Sequence, residues 1–252
     1  MGAIQSVFER LLSVSSAKGS GFLVLVDPDR VSPERLPGFA GLCAKAGVDA
    51  FLVGGSLTFS GSLDDPIDSI KKASGLPVIL FPGNACQISR AADAILFLSL
   101  VTCRNADFLI GEHVKAAPLI HRWSLEAIPT AYILVESGPA TSVQFITQSI
   151  PIPRDKTDLA VAHALAGKYL GMKLIYLEAG SGAGMSVPDQ MVKAVSSATA
   201  LPVVVGGGLR AAEDAGKLAR AGAKFVVVGN ALEESGEFSF LEEISSAVHF
   251  LA

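Results

Sequence analysis

The chain has 252 residues, enough for one large α/β domain or two small ones. Half are hydrophobic and 17% charged, and a mean hydropathy of +0.48 calls for a large core plus an oligomer interface or an apolar ligand site. The net charge of −4 argues against nucleic acid as the main partner, and Cys43, Cys86 and Cys103 stand at neither metal-ligand nor disulfide spacing, which fits a reducing cytoplasm. Residues 1–18 lack the basic start and apolar block of a signal peptide, and no apolar run approaches the roughly 20 residues of a membrane span.

Ile4, Val7, Phe8, Leu11 and Leu12 recur at helical spacing and predict an amphipathic N-terminal helix. A buried strand follows at Phe22–Val26 and ends at Asp27-Pro28-Asp29. Ser32-Pro33 then reads as the cap and first turn of a helix that Gly47 closes. The pattern repeats. Strands are expected at Ala50–Val53, Pro77–Phe81, Ala94–Leu98, Ala131–Val135, Lys173–Glu178, Pro202–Val205 and Phe225–Val228. Helices are expected at about Asp65–Ala73, Asn105–Ile120, Asp155–Leu170, Pro188–Thr199, Ala211–Ala221 and Phe240–Leu251. The segment after the third strand is too short for a full helix, and a Ser/Thr/Pro-rich loop occupies Glu136–Pro153. Short, continuous runs of Val, Ile and Leu suit parallel strands buried on both faces. Eight such units over residues 1–252, with no linker between them, favour a single (β/α)8 TIM barrel with an extra N-terminal helix and a reduced third helix; an open doubly wound sheet is the alternative.

Polar and glycine residues collect where the strands end: Asp27, Gly54-Gly55-Ser56, Asn84, Glu178, Gly206-Gly207-Gly208 and Gly229-Asn230. In a barrel these ends converge on the active-site face. Tyr176 and Glu178 share one face of the sixth strand, and Gly180-Ser181-Gly182 follows as a loop whose N–H groups could approach an anion. The glycines ending the seventh and eighth strands match the phosphate site that barrels build there. Asp27, set in a turn by Pro28, suits Mg2+ with a hydroxyl from Ser56, although a plain turn-forming Asp reads equally well. Asp64-Asp65-Pro66-Ile67-Asp68 imitates the aspartate-rich motif of all-helical prenyl synthases, but acidic residues in a first helical turn explain it. His113, His121, His163 and His249 have no ligand spacing, and Arg154 and Lys156 read as a solvated pair.

Taken together, these markers resemble the geranylgeranylglyceryl phosphate synthases, including bacterial relatives that use longer, heptaprenyl chains. They include Val26-Asp27-Pro28-Asp29, Val53-Gly54-Gly55-Ser56, Ser99-Leu100 with Arg104-Asn105, Pro151-Ile152-Pro153-Arg154, Tyr176–Gly182, Gly206-Gly207-Gly208 and Val228-Gly229-Asn230. The resemblance implies a prenyltransferase that joins the C3 hydroxyl of sn-glycerol 1-phosphate to a prenyl diphosphate, with geranylgeranyl diphosphate as the donor. It implies that Asp27 and Ser56 hold Mg2+ on the leaving diphosphate. Tyr176, Leu177, Glu178, Ala179, Gly180, Ser181 and Gly182 would bind the glycerol phosphate, with Glu178 and Tyr176 catalytic, and Gly207, Gly208, Gly229 and Asn230 would hold its phosphate. A lysine that one branch carries two residues before the metal Asp is Leu25 here. A dimer or hexamer in the cytoplasm is implied, and peripheral membrane contact stays open. The rival readings are a phosphosugar isomerase barrel and a non-catalytic phosphate-ligand binder.

Overall fold

The computed structural model describes residues 5–58, 61–229 and 238–252. Eight parallel strands close in sequence order: β1 (Gly21–Val26), β2 (Ala50–Val53), β3 (Val78–Leu80), β4 (Ala94–Leu100), β5 (Glu126–Leu134), β6 (Leu174–Glu178), β7 (Val203–Gly206) and β8 (Phe225–Val228). β8 pairs back onto β1, with Leu23 opposite Val227, so no sheet edge is left open. The helices are α1 (Val7–Lys18), α2 (Leu36–Lys45), α3 (Asp64–Ser74), α4 (Glu112–Trp123), α5 (Ser142–Thr147), α6 (Thr157–Tyr169), α7 (Asp189–Thr199), α8 (Ala212–Arg220) and α9 (Phe238–Val248).

The two-residue period of a strand sorts every side chain. Phe22, Val24 and Val26 point outward into the layer between barrel and helices, while Leu23 and Leu25 point inward. On β6, Ile175 and Leu177 face the helices, and Leu174 and Tyr176 fill the interior. The barrel's lower end is plugged by α1, whose Phe8 and Leu11 cover Leu23, Leu52, Ile79, Ile128, Val204 and Phe225. Ser6 caps α1 in a capping box with Glu9. Glu126 at the foot of β5 adds hydrogen bonds from Val7 N–H (2.6 Å) and Phe8 N–H (3.2 Å). Among the described residues, the end where the strands finish carries a cavity.

Local differences from expectation have local causes. α2 starts at Leu36 rather than at Ser32, because Ser32–Arg35 forms a turn whose C=O at Ser32 accepts from Arg35 and Leu36 N–H; Pro37, not Pro33, occupies the first helical turn. β5 begins five residues early, and Pro129, which lacks an N–H, hides that beginning from the pattern. The Glu136–Pro153 loop contains α5. The helix expected from Asn105 enters through a π turn, Asp107–Gly111, before α4. Residues 81–93 hold no helix, as the short spacing required. Asp64 and Asp65 occupy the first turn of α3, and Asp64 accepts from Ser89 Oγ, so the acidic cluster is structural.

Candidate active site

The end where the strands finish carries a cavity of about 850 Å³. The inward period of each strand delivers its lining: Leu25 then Asp27 from β1, Gly54 then Ser56 after β2, Phe81 after β3, Leu98 and Leu100 from β4, Tyr132 from β5, Tyr176 and Glu178 from β6, and Val227 then Gly229 from β8. Gly180, Ser181, Gly182, Gly207 and Gly208 complete one side. Leu98, Leu100, Phe108 and Val143 make the other side apolar.

Glu178 lies between the two sides. It is buried, and its Oε1 accepts a 2.6 Å hydrogen bond from Gly180 N–H. Loss of hydration pushes its carboxyl up to about 7, although the Gly180 N–H and the neighbouring Tyr176 and Tyr132 hydroxyls favour the ionised form. Burial beside that carboxylate holds both phenols well above their usual range. Tyr176 stacks on Phe81 with ring centroids 5.2 Å apart, and Tyr132 packs edge-on to both rings. The Tyr176 hydroxyl sits against Gly206, where a Cβ would come within 2.4 Å of the oxygen. It is buried without a hydrogen-bond partner among the described residues, so its effect on Glu178 is that of a nearby dipole, and its donor is available to a ligand.

The glycine side is built by backbone conformation. Gly180, Gly182, Gly207 and Gly208 have φ of +102°, +73°, +85° and +69°, the left-handed region that favours glycine. A Cβ on Gly207 would approach Glu178 Oε1 to 2.6 Å, and one on Gly208 would strike the Met185 backbone at 2.5 Å. The N–H of Gly180 is already committed to Glu178. The neighbouring glycines and Arg210 also line the cavity.

Asp27 stands across the cavity. Its Oδ1 accepts from Asp29 N–H (3.1 Å), and Oδ2 lies 3.4 Å from Arg30 Nε. Burial raises its pKa more than those two contacts lower it. Gly55 passes beneath, where a Cβ would come within 3.0 Å of Oδ2. Asp27 and Ser56 are hard oxygen donors facing one space. Among the described residues, no three His, Cys, Asp or Glu side chains gather to hold a metal unaided. A cation here would rest on these two side chains, water and substrate oxygens, which is how Mg2+ is commonly held.

The structure thus brings Asp27, Ser56, Tyr176, Glu178, Gly180, Ser181, Gly182, Gly207, Gly208 and Gly229 to one cavity. Leu177 and Ala179 do not join them. The strand period turns both outward into the core, and the Ala179 backbone is spent on Gly206 O and Ser137 Oγ. Asn230 lies outside the described residues. Arg154 is not a solvated partner of Lys156; it donates to the carbonyls of Glu136 (3.2 Å) and Ser186 (2.7 Å). Tyr132, Phe81 and Arg30 are among the lining residues that the strand-end pattern did not single out. A lone tyrosine in the aliphatic run Ala131–Val135 was the readable sign of the first.

Comparison with known proteins agrees with this geometry. A protein of Chitinophaga pinensis named geranylgeranylglyceryl phosphate synthase is 44% identical over 237 residues, covering 94% of this chain and 93% of that one. The Pyrococcus horikoshii protein of the same name is 49% identical over 213 residues, 84% of this chain and 83% of its own. The crystal structure of (S)-3-O-geranylgeranylglyceryl phosphate synthase from Thermoplasma acidophilum, in complex with sn-glycerol-1-phosphate, superposes with a TM-score of 0.93 at 35% identity, over 98% of this chain and all of that one. The PcrB family model matches residues 14–248, and the chain belongs to the PcrB family.

Proposed function

We propose that the protein is a prenyltransferase that joins the C3 hydroxyl of sn-glycerol 1-phosphate to an allylic prenyl diphosphate, giving a prenylglyceryl phosphate ether and pyrophosphate. One observation carries the reading: a single cavity sets a buried carboxylate, Glu178, between an anion-binding glycine side and an apolar wall. The names of the relatives favour geranylgeranyl diphosphate as the donor.

The phosphate of the acceptor rests on the N–H groups around Gly207, Gly208 and Gly229, with Ser181 and Gly182 closing over it. This leaves the C3 hydroxyl at Glu178, where Tyr176 orients it. The prenyl tail lies along Leu98, Leu100, Phe108 and Val143. The C3 oxygen forms its bond to C1 of the donor as the C1–O bond breaks, and that electron pair leaves with pyrophosphate. The hydroxyl proton passes to Glu178 and from there to solvent. A carboxyl near 7 is matched to that transfer, being ionised in part at neutral pH yet basic enough to take the proton. Asp27 and Ser56 would hold Mg2+, whose charge would offset that of the leaving diphosphate. The narrow apolar wall also keeps water from competing for C1.

Homo-oligomerisation is supported by the exposed Ile110, Val114, Phe145 and Ile150, apolar side chains that an interface would cover. A peripheral membrane contact is supported by Phe145, exposed on the helix whose Val143 lines the cavity. Analytical ultracentrifugation with and without lipid vesicles separates the two. Three unpaired thiols support a reducing cytoplasm.

Radiolabelled sn-glycerol 1-phosphate, incubated with Mg2+ and a ladder of prenyl diphosphates, is expected to move label into organic solvent. Glu178→Ala should still bind the acceptor and lose most turnover, and added Mg2+ should not rescue Asp27→Ala. No extractable label with any donor would sink the reading.

A further inference from the structure

The hydrogen-bond ladder between β2 and β3 ends before the cavity does. Among the described residues, its last backbone bond runs from Phe81 N–H to Val53 O at 2.8 Å. Beyond it, Gly54-Gly55-Ser56 still lies against Pro82-Gly83, and both segments line the cavity. There a side-chain amide takes over. Gln87 Nε2 donates to Gly55 O at 2.9 Å, and Gln87 Oε1 accepts from Gly83 N–H at 3.0 Å, with a longer approach from Gly55 N–H at 3.5 Å. An amide side chain carries the donor and acceptor of a peptide unit, so Gln87 supplies the rung that the strands no longer make.

Gln87 is itself fixed in place. It is 4% exposed. Its own N–H donates to Asn84 O (3.2 Å), Asn84 Oδ1 accepts from Cys86 N–H (2.8 Å), and Ala85 N–H donates to Glu112 Oε2 on α4 (2.6 Å). Asn84, a polar residue of the strand-end pattern, is thus the turn former that presents Gln87. Gly55 is crowded as well as bonded. A Cβ on Gly55 would come within 3.0 Å of Asp27 Oδ2, and one on Gly83 would fall 2.6 Å from Gly55 O and 2.8 Å from Ser56 O. The Gly55 backbone therefore packs against the Asp27 carboxylate while its carbonyl is held by Gln87, and the residue after it is Ser56.

We propose that Gln87 is a positioning residue for the cation and diphosphate end of the site: by holding the Gly55 peptide, it sets the spacing of Ser56 and Asp27. This rests on the reading of those two side chains as the Mg2+ donors of a prenyltransferase. Mg2+ demands near-octahedral geometry with oxygens at about 2.0–2.1 Å, so a small displacement of one donor weakens its hold. With two protein donors, little remains to absorb the shift. Groups that orient metal donors through hydrogen bonds are worth about 10–100-fold in metal affinity. The bonds of Gln87 go to Gly55, Gly83 and Asn84, while the phosphate glycines Gly207, Gly208 and Gly229 follow β7 and β8 and receive none of them.

The test titrates inorganic pyrophosphate into the full chain by calorimetry, with and without Mg2+, and sn-glycerol 1-phosphate beside it. Gln87→Met keeps an unbranched side chain but loses the amide. It is expected to weaken Mg2+-dependent pyrophosphate binding, and to raise the Mg2+ concentration for half-maximal turnover, by about tenfold each, with affinity for sn-glycerol 1-phosphate within about twofold of the parent. Gly83→Ala presses on the same Gly55-Ser56 backbone without removing the amide, and should give the same split. Where Gln87→Met does not fold, Gly83→Ala decides in its place. Parent-like pyrophosphate affinity with Mg2+ in the deciding variant, or an equal loss of both ligands, overturns the role of Gln87. A parent that binds pyrophosphate no better with Mg2+ than without it also overturns that role, whatever its turnover. A parent that forms no ether product, yet loses Mg2+-dependent pyrophosphate binding on Gln87→Met, keeps the role of Gln87 and overturns the prenyltransferase reading.

Discussion

Gly180 donates its N–H to Glu178 Oε1 across 2.6 Å, two residues back along the chain. The bond favours the ionised carboxylate and opposes the burial that raises its pKa. It exists because Gly180 holds φ at +102°, where a Cβ would fall 2.3 Å from Thr141 Cγ2. Gly180→Ala must therefore move the loop and take the donor with it. The expected result is a loss of about tenfold or more in kcat/KM, together with a basic shift of the pH–rate midpoint. A pH profile of the variant measures both, and a profile that falls without shifting would show that the bond does not tune Glu178.

On the proposed function, the Glu178 carboxyl of the parent is expected to set the rising limb of activity. With Glu178 at about 7 in the folded state, kcat/KM should climb as pH rises through that value and level off above it. A midpoint near the ordinary carboxylate value of 4.5 would mean that Glu178 orients the hydroxyl without accepting its proton.

The same pKa predicts a cost in stability. A carboxyl whose pKa is raised by folding favours the folded state while it stays protonated, and the advantage disappears as pH rises from 4.5 through about 7. Ionised Glu178 at pH 8 is a buried charge. Glu178→Gln keeps the shape and the Gly180 contact but removes that charge. It should be more stable than the parent at pH 8 by about 2–3 kcal/mol, nearly level with it at pH 5, and without transferase activity. Urea unfolding at the two pH values gives the comparison.

How much of this was legible follows from what a single strand can say. A two-residue period turns Asp27, Tyr176 and Glu178 inward from local pattern alone, so these positions and their shared rim could be read directly. The same period excludes Leu177 and Ala179, which a contiguous motif had swept in with their neighbours. Tyr132 was harder. Nothing local says that it meets Tyr176; the β5–β6 register places them opposite one another. Arg154 was misread because its partners are carbonyls of two distant loops, and main-chain acceptors leave no residue-type signature.

Those Arg154 bonds lead to a further prediction. By holding Glu136 O and Ser186 O, Arg154 ties the segment bearing α5 to the loop after β6, and both border the cavity. Arg154→Ala should raise KM for the prenyl donor several-fold and speed limited proteolysis between residues 136 and 153, with the barrel's thermal midpoint little changed. Cleavage at the parent rate would show that the two loops hold their places without it.

At the closed end, Ser245, His249 and Asp49 form a chain that resembles a catalytic triad: Ser245 Oγ lies 3.2 Å from His249 Nδ1, and His249 Nε2 lies 2.8 Å from Asp49 Oδ2. Its surroundings are those of a clamp. All three side chains are buried beneath the barrel floor, remote from the strand ends that form the active site. Asp49 also accepts from Lys18 Nζ (2.6 Å) and Phe22 N–H (2.8 Å), so one carboxylate fastens the end of α1, the start of β1 and the segment after α9. Burial raises its pKa, but the hydrogen bonds from His249, Lys18 and Phe22 together outweigh that and leave it below the usual 3.8. A lowered carboxyl adds stability above its unfolded pKa and surrenders it as pH falls past that value. Asp49→Asn should therefore cost about 2–4 kcal/mol at pH 7, and the gap from the parent should narrow toward pH 3 as the parent's own carboxylate is protonated. Ser245→Ala, which removes only the outermost link, should cost no more than about 1 kcal/mol. Both variants should keep the parent's kcat where folded, and loss of turnover in folded Ser245→Ala would reinstate the triad as chemistry.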